Sequence, residues 1–542
     1  MPSSIQIIEL DPQLKVLQAL AAFAAEPFLL LLDSAARHRE RDARYSVLTA
    51  DPVAVCRIDR VEHGDSPFET LRSWQLLLPE LTPDEQRGLP PFCGGIAGLM
   101  SYELGHAFEK LPRPVIDDFQ TPALLAGLFD WAIVWDHIEG TVRAYVLQMC
   151  ESDNGSNAAR RNLWIRERLS SSQPQSGKNS VPEATASEKE TCNNQAPEER
   201  QPASASPRLT VTEGDAPVAH ATGTGLPLLR SCDSRSASTT DTDESELSGS
   251  VAASSSRCLH QHRIEPTSDI FSDFTRDEYM SSVSRVIEYI RAGDVFQTNL
   301  SQRLMAPWTG TATELYCRIR TNNPAPFCGL LQTAEFSIVS ASPERFLKVD
   351  QSGHVETRPI KGTRRRPRSP IADLYAGIEL ADSEKDRAEN VMIVDLLRND
   401  LSRSCRAGSV KVTGLCEIER FETVLHLVST VVGQLRPDRH VWDLMSGCFP
   451  GGSIIGAPKI RAMEIIAELE PTVRGAYCGS LFALGPCGEF DSSILIRTFT
   501  LKNGRVQFPV GGGIVADSDP LDEYRETLHK ASGMIRCLKN GH

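Results

Sequence analysis

The stretch between Trp164 and Phe271 contains no aromatic residue, and it is the strongest constraint on how this chain of 542 residues folds. It includes "SSSQPQSGKNSVPEATASEKE" and, further on, "SRSASTTDTDESELSGSVAASSS". Such a sequence cannot bury enough apolar surface to offset the loss of chain entropy on folding. We therefore predict a low-complexity, disordered insertion over residues 166–268. It is either a regulatory or partner-binding segment or a tolerated surface insertion.

The sequence on either side of this insertion is typical of folded protein. Residues 1–165 contain the strand-like runs "FLLLL" and "WAIVW". In residues 269–542, Thr275 and Glu278 have capping-box spacing at the start of a predicted helix that ends at Gly293. The runs "DVFQTNLSQRL" and "VQFPVGGGIV" predict strands. Because strands outnumber the helices between them, we expect an α+β fold with mainly antiparallel sheets.

Charge, cysteine spacing and the N-terminal sequence together limit the function classes. The formal net charge of −14 argues against a nucleic-acid-binding or anionic-membrane-binding protein. The 14 cysteines include no Cys-x-x-Cys pair, which is typical of reduced thiols in the cytosol. Glu9 and Asp11 precede the N-terminal apolar run and Glu26 interrupts it, so we predict a helix and a buried strand there. We expect a cytoplasmic protein with no membrane partner.

A dense basic run, "RPIKGTRRRPR", lies at residues 358–368. It is open to three interpretations: a nuclear-localisation or phosphate-binding sequence, a solvated loop, or part of a catalytic site. If the backbone is extended, Lys361 and Thr363 point to one face. Burial and the nearby cations Arg358 and Arg364 would both lower the pKa of Lys361 from about 10.4, which suits a nucleophile.

Carboxylates lie near the apolar faces of two predicted helices. Glu389 shares a face with Ile393 and Leu397. The C-terminal helix is predicted to bury a stripe made of Leu521, Tyr524, Leu528, Ala531 and Ile535. Glu523, Glu526 and Lys530 flank that stripe. Glutamates on two helices, without His or Cys, suit Mg²⁺, and the alternative is one buried salt bridge with a solvated helix face.

Two glycine-rich segments predict an anion site. "FPGGSIIGAPKIRAM" resembles a phosphate loop, but Ala457 stands where that motif has lysine. We expect Pro458 at the first position of the following helix. "VGGGIV" allows close backbone approach by a ligand. Together with Arg497, these segments predict a site for a small acid that bears carboxylates.

The order of these segments resembles the chorismate-using enzymes, a family that includes anthranilate, aminodeoxychorismate, isochorismate and salicylate synthases. The resemblance covers about residues 270–540 and rests on the segments "GDVFQTNLSQR", "NPAPF", "SPERF", "RPIKGTRRR", "AENVMIVDLLRNDLSR", "HLVSTVVGQL", "FPGGSIIGAPKIRAMEII", "RGAYCGSL", "SILIRT", "GGGIVADSDP" and "EYRETLHKA". It implies a layered α/β/β/α sandwich that residues 1–165 complete. Residues 269–542 would form the chorismate-binding catalytic region.

The resemblance also implies roles for individual residues. Lys361 and Glu344 would be catalytic, with Glu344 as general acid or base. Glu389 and Glu526 would ligate Mg²⁺. The residues implied to bind chorismate are Gly362, Thr363, His426, Ser453, Tyr477, Arg497, Gly511, Gly512 and Gly513. Ser34 and Pro324 stand where the family forms a tryptophan site.

Two positions favour one branch of the family. Anthranilate synthases have alanine where this chain has Lys361, and aminodeoxychorismate synthases have lysine. Isochorismate synthases have a lysine base where this chain has Gln297. The resemblance therefore implies a Mg²⁺-dependent synthase that makes 4-amino-4-deoxychorismate, a precursor of 4-aminobenzoate and folate. A separate glutamine amidotransferase subunit would supply the ammonia.

Three alternatives remain open. One is anthranilate synthase component I, against which only Lys361 argues. Another is a non-enzyme that binds nucleic acid or a partner through the basic run 361–368. A regulatory homologue without catalysis would need a missing metal ligand or base, and none is missing from the sequence.

Overall fold

The fold is built on two large antiparallel sheets. The computed structural model describes residues 4–36, 44–149, 156–171, 261–265, 268–420 and 424–539. The described residues belong to one compact unit. Every pairing between the strands named below is antiparallel.

The elements follow in chain order. The strands are β1 (Ile5–Glu9), β2 (Leu29–Asp33), β3 (Tyr45–Thr49), β4 (Ala54–Ile58), β5 (Gly95–Met100), β6 (Leu124–Phe129), β7 (Trp131–Asp136), β8 (Thr141–Leu147), β9 (His262–Arg263), β10 (Phe271–Ser272), β11 (Gln297–Pro307), β12 (Phe327–Gln332), β13 (Ser337–Ser342), β14 (Arg345–Val349), β15 (His354–Thr357), β16 (Ile360–Arg365), β17 (Lys411–Arg420), β18 (Val424–Gln434), β19 (Gly456–Ala457), β20 (Ser480–Leu484), β21 (Phe490–Ser493), β22 (Thr498–Lys502) and β23 (Arg505–Ile514). The α-helices are α1 (Val16–Phe23), α2 (Glu69–Gln75), α3 (Pro83–Gln86), α4 (Ser156–Ser171), α5 (Arg276–Ala292), α6 (Ala312–Asn322), α7 (Pro370–Asp382), α8 (Glu384–Ser402), α9 (Val441–Cys448), α10 (Lys459–Leu469) and α11 (Pro520–Leu538). Two 3₁₀ helices span Tyr102–Ala107 and Gly452–Ile454.

The two sheets stack between two layers of helices. The larger sheet has 13 strands in the order β1-β8-β7-β3-β2-β12-β13-β22-β23-β11-β10-β9, with β19 paired to β11. The smaller has ten strands in the order β16-β18-β15-β14-β21-β20-β5-β6-β4, with β17 paired to β18. One hydrophobic core lies between the sheets, and two large ones and a small one lie under the helices on the outer sheet faces. The predicted α+β sandwich is confirmed.

Strands from the N-terminal part pair directly with strands of the C-terminal part in both sheets. In the larger sheet β2 pairs with β12, so that Leu30 lies opposite Leu331. In the smaller sheet β5 pairs with β20, so that Leu99 lies opposite Leu481. Each ladder would leave an open apolar edge if its partner were removed. The N-terminal part therefore completes both sheets.

Most predicted helix ends are confirmed. Thr275 and Glu278 form a capping box at the start of α5, and Gly293 ends that helix in the left-handed conformation. The N-terminal run forms α1 followed by the buried strand β2, as predicted. Pro458, in contrast, is the N-cap of α10 and not its first residue.

The structure corrects two predictions: the ends of the insertion and the buried face of α11. Ordered structure enters the predicted 166–268 insertion from both sides, because α4 continues to Ser171 and β9 lies at His262–Arg263. Residues 172–260, 266 and 267 lie outside the described residues.

The buried face of α11 is also rotated from the predicted stripe and consists of Glu523, Thr527, Ala531, Met534 and Cys537. Polar partners on neighbouring elements stabilise its first half, since Ser518 donates to Glu523 at 2.6 Å and Gln302 donates to Thr527 at 2.6 Å.

Within the described ranges, no helix is long and apolar enough to cross a bilayer. The ten cysteines in those ranges are all free, and eight of them are buried.

A buried carboxylate at the end of β2 ties three elements together. Asp33 accepts hydrogen bonds from Ser46, Tyr316 and Arg320, each at 2.6 Å. The Asp33 side chain is fully buried, whereas that of Arg320 is 29% exposed. A buried carboxylate is costly unless it is paired, and here all three donors point at it.

We predict that Asp33→Asn lowers the free energy of unfolding by about 3 kcal/mol, because its amide group would face donors. Asp59→Asn is the matched control. Asp59 pairs with Arg57 at 2.6 Å but is 70% exposed, so its loss should cost less than about 1 kcal/mol. Urea unfolding of both variants measures the difference. Equal changes would contradict the prediction.

Candidate active site

Four charged residues that are far apart in sequence come together beside the smaller sheet. Lys361 lies on β16, Glu344 immediately before β14, Glu389 on α8 and Glu526 on α11. Each of the three carboxylates acts electrostatically on the pKa of Lys361. We call these four residues the charged cluster.

The amine of Lys361 is partly withdrawn from water. Its pKa is lowered, first by burial and further by the positive charge of Lys530, while Glu389 and Glu344 act in the opposite direction. Lys361 as a whole is half-buried, so a small molecule can reach it. A lysine with a lowered pKa has a larger neutral fraction at neutral pH and is a better nucleophile.

A bulge at Gly362 follows the lysine. Lys361 pairs with Leu427 and Thr363 with His426, so one additional residue is accommodated on β16. Gly362 has φ +76°, and a Cβ there would lie 3.0 Å from side-chain atoms of Asp386 and Leu380. The alternation that predicts a common face for Lys361 and Thr363 is therefore broken.

Glu344 is the most strongly perturbed carboxyl group of the cluster. It is 4% exposed, and burial raises its pKa to about 7, against the opposing effects of Ser453, Lys361 and the Ile360 backbone. Glu344 Oε1 and Ser453 Oγ are both buried without a hydrogen bond of good geometry. Buried polar atoms without partners are uncommon in native proteins and point here to a ligand or water.

The other two carboxylates lie beside a lysine. Burial raises the pKa of Glu389 against the opposing effect of Lys361. Burial would raise the pKa of Glu526 too, but Lys530, 2.7 Å away, brings it below its ordinary value. Lys530 also donates to the Gly511 carbonyl at 3.0 Å. An ammonium group thus occupies the position beside Glu526.

Glu523 is a further carboxylate at this place. It is 6% exposed, and burial together with Glu526 raises its pKa against the effect of Ser518. Among the described residues, no group of three or more His, Cys, Asp or Glu side chains is disposed to hold a metal ion. A cation bound here would need ligands from a substrate as well as from the protein.

The glycine strand β23 runs along the site next to β11. Gly511, Gly512 and Gly513 pair with Ser301, Leu300 and Asn299. A Cβ on Gly513 would lie 2.3 Å from Gln297 Nε2, and one on Gly512 would lie 3.0 Å from Glu523 Oε2. Only glycine leaves this space open. Next to it, Gln297 Oε1 and Thr298 Oγ1 are buried without partners among the described residues.

His426 and Arg497 lie near each other. Burial, reinforced by Arg497, lowers the pKa of His426 to about 3, so its ring is neutral. Its Nδ1 lies 2.9 Å from Thr363 Oγ1. Burial raises the pKa of Tyr477. Arg497 is exposed, has φ +53° and makes no ion pair within the described residues, which suits recognition of an acid.

The basic run does not form one open patch. Arg364 pairs with Glu379 and Asp386, and Arg366 pairs with Asp373. Arg365 and Arg368 are exposed. Arginines that already pair with acidic residues of the same chain are poorly suited to binding phosphates. This argues against the nucleic-acid interpretation of residues 361–368.

Ser34 and Pro324 lie at the joined ends of β2 and β12. The Ser34 hydroxyl donates to the Tyr45 carbonyl at 2.8 Å, and Ala35 N donates to Ala325 O at 3.2 Å. The two positions are brought close, and tryptophan binding there stays a prediction.

Comparison with known proteins decides the family. A family model described as chorismate binding enzyme matches residues 188–536. The chain belongs to this family. The chorismate binding enzyme family model begins inside the predicted insertion, and residues 188–260 lie outside the described ranges.

Two curated relatives come from different branches of the chorismate binding enzymes. Aminodeoxychorismate synthase component 1 of Escherichia coli is 34% identical over 508 residues, which is 92% of this chain and 90% of that protein. Anthranilate synthase component 1 of Streptomyces coelicolor is 34% identical over 498 residues, 92% of this chain and 81% of that protein. The solved anthranilate synthase component I of Streptococcus pneumoniae is 26% identical with a TM-score of 0.64, covering 92% and 93% of the two chains.

The sequence did not single out Asn299, which lies against Gly513. Glu523 and Lys530, which the sequence placed beside Glu526 on the same helix, adjoin it in the structure. The segment "QTNLSQR" carried a signal, because a strand of polar residues that is buried needs partners. The burial of Glu523 had no such signal, since it depends on how α11 rotates against β23.

Proposed function

We propose that this chain is the synthase component of an aminodeoxychorismate synthase, which converts chorismate and ammonia to 4-amino-4-deoxychorismate. The observation that carries the proposal is Lys361, a lysine of lowered pKa beside a buried Glu344 within the chorismate binding family. Relatives named aminodeoxychorismate synthase component 1 support the same branch.

In the proposed reaction the neutral amine of Lys361 attacks C2 of chorismate. The ring double bonds shift, the bond between C4 and its hydroxyl breaks, and Glu344 gives its proton so that water leaves. Ammonia then attacks C4 and loses a proton, the double bonds shift back, and the C2–N bond to Lys361 breaks. A carboxyl with a pKa near 7 can carry the proton in both directions.

We further propose that Glu389 and Glu526 hold Mg²⁺ when substrate is bound. Glu389, Glu523 and Glu526 cluster here, and Lys530 pairs with Glu526. The donor set of oxygens without His or Cys fits Mg²⁺. Bound Mg²⁺ would neutralise and orient a carboxylate of the substrate. Lys530 would then release Glu526.

The ammonia would come from a glutamine amidotransferase subunit that associates with this chain. The proposal rests on the name component 1 of the relatives. Enzyme activity with an ammonium salt alone is expected, because Lys361 and Glu344 belong to this chain.

We predict that purified protein given chorismate, Mg²⁺ and an ammonium salt at alkaline pH makes 4-amino-4-deoxychorismate. Lys361→Ala should lower the rate at least about 100-fold, because the nucleophile is lost. Arg368→Ala, which changes an exposed residue of the same basic run, should leave the rate unchanged. Mass spectrometry and chromatography identify the product. Anthranilate as the product would assign the chain to the other branch.

The pH dependence tests Glu344. Because Glu344 has to be protonated when the hydroxyl leaves, we predict that the rate at constant free ammonia falls as pH rises through about 7. Glu344→Gln should lower the rate and abolish this falling limb of the pH–rate profile. Only the rise in rate that comes from deprotonation of Lys361 should then remain. A limb that persists in Glu344→Gln would rule out this role.

Metal dependence is tested by binding as well as by activity. We expect chelation to abolish turnover and Mg²⁺ to restore it. In calorimetry with chorismate present, Glu389→Gln should weaken Mg²⁺ binding about 10- to 100-fold. Glu384→Gln, an exposed position of the same helix, is the control. Full activity in chelator would contradict the proposal.

A further inference from the structure

A buried ion pair lies behind the charged cluster and is not among the residues assigned above. Arg474 donates to Glu470 through Nε at 2.8 Å and Nη2 at 2.7 Å. The two side chains are 3% and 4% exposed. Such a two-bond geometry fixes a guanidinium in one orientation.

The guanidinium of Arg474 contacts three segments that line the site. It donates to the Asn299 carbonyl of β11 at 2.9 Å and to the Ile454 carbonyl at 3.3 Å. Its carbon also lies 5.6 Å from the centre of the Tyr477 ring. Asn299 in turn donates from its amide to the Ser453 carbonyl at 3.3 Å.

These bonds join the turn that carries Ser453 to β11. Ser453 is the residue beside Glu344 that lowers the pKa of that carboxyl. If the turn moves away, Glu344 loses this neighbour. Arg474 supports this turn through the Ile454 carbonyl and through Asn299. It acts together with the Asn299 N–H bond to the Ile455 carbonyl at 2.8 Å and the pairing of β19 with β11.

The pair is itself held by neighbours from both parts of the chain. Glu470 accepts from the Ser301 backbone N–H and hydroxyl, each at 2.8 Å. Glu103, from the N-terminal part, accepts from the backbone N–H groups of Arg474 and Gly475 at 2.9 and 3.0 Å. The Arg474 guanidinium also stacks over Tyr102 at 4.9 Å.

We propose that Arg474, oriented by Glu470 and Glu103, is a positioning residue that places Ser453 against Glu344 and Tyr477 against the substrate. The proposal rests on the proposed role of Glu344 for its pH consequence. Its consequence for substrate binding is independent of that role.

The test compares Arg474→Lys with the wild type. Lysine keeps the charge but cannot donate to Glu470, Asn299 and Ile454 together. The midpoint of the falling pH limb should move up by about one pH unit, because Glu344 loses a group that stabilises its charged form. The dissociation constant for chorismate, measured by calorimetry, should rise about 10-fold, because Tyr477 and Asn299 are less well placed.

Arg461→Lys is the matched control, because Arg461 also pairs with a nearby glutamate and stacks on a tyrosine but lies on the surface. It should change neither quantity. If Arg474→Lys does not fold, Ser301→Ala removes one bond to Glu470 and should move both quantities in the same direction by less.

The outcomes separate the two proposals. If Glu344→Gln does not remove the fall in rate at higher pH that the wild type shows, or the wild type shows no such fall, the role of Glu344 fails. The affinity for chorismate alone then decides the role of Arg474. A folded Arg474→Lys variant with wild-type affinity and an unmoved limb overturns the positioning role.

Discussion

The structure depends on two antiparallel ladders that join the beginning of the chain to its end. β2 pairs with β12 in one sheet and β5 pairs with β20 in the other. Both ladders lie inside their sheets and not at the edges. Without its partner, each part would leave the backbone N–H and C=O groups of a central strand unpaired. The site is built on this joint framework, and Glu103 reaches it from the N-terminal side.

In the charged cluster, one buried environment shifts the pKa values of two groups in opposite directions. Burial disfavours the charged form of both an amine and a carboxyl group. It therefore lowers the pKa of Lys361 and raises that of Glu344, which brings both nearer to neutral pH. An amine that can lose its proton then lies beside an acid that can donate one. A neutral amine next to a protonated carboxyl group is the arrangement required when a nucleophile displaces a hydroxyl group that leaves as water.

The polar support around the site is arranged in layers. Gly511–Gly513 leave open space, and Gln297, Thr298 and Ser453 have polar atoms there without partners. Behind them Arg474 and Glu470 are fully hydrogen-bonded. The guanidinium and the carboxylate behind the site thus have partners, whereas several polar atoms at the site do not.

The sequence by itself determined the fold class, the ends of α5 and the residue types of the site, because these depend on local periodicity, capping and composition. Lys361, Glu344, Glu389 and Glu526 could be named from their motifs. The tertiary structure decided what those motifs could not contain: the bulge at Gly362, which breaks strand alternation, and the rotation of α11, which buries Glu523. It also decided that Arg474 donates to the carbonyls of Ile454 and Asn299 beside Ser453. Each of these depends on contacts between segments far apart in the chain, and no local pattern specifies such contacts.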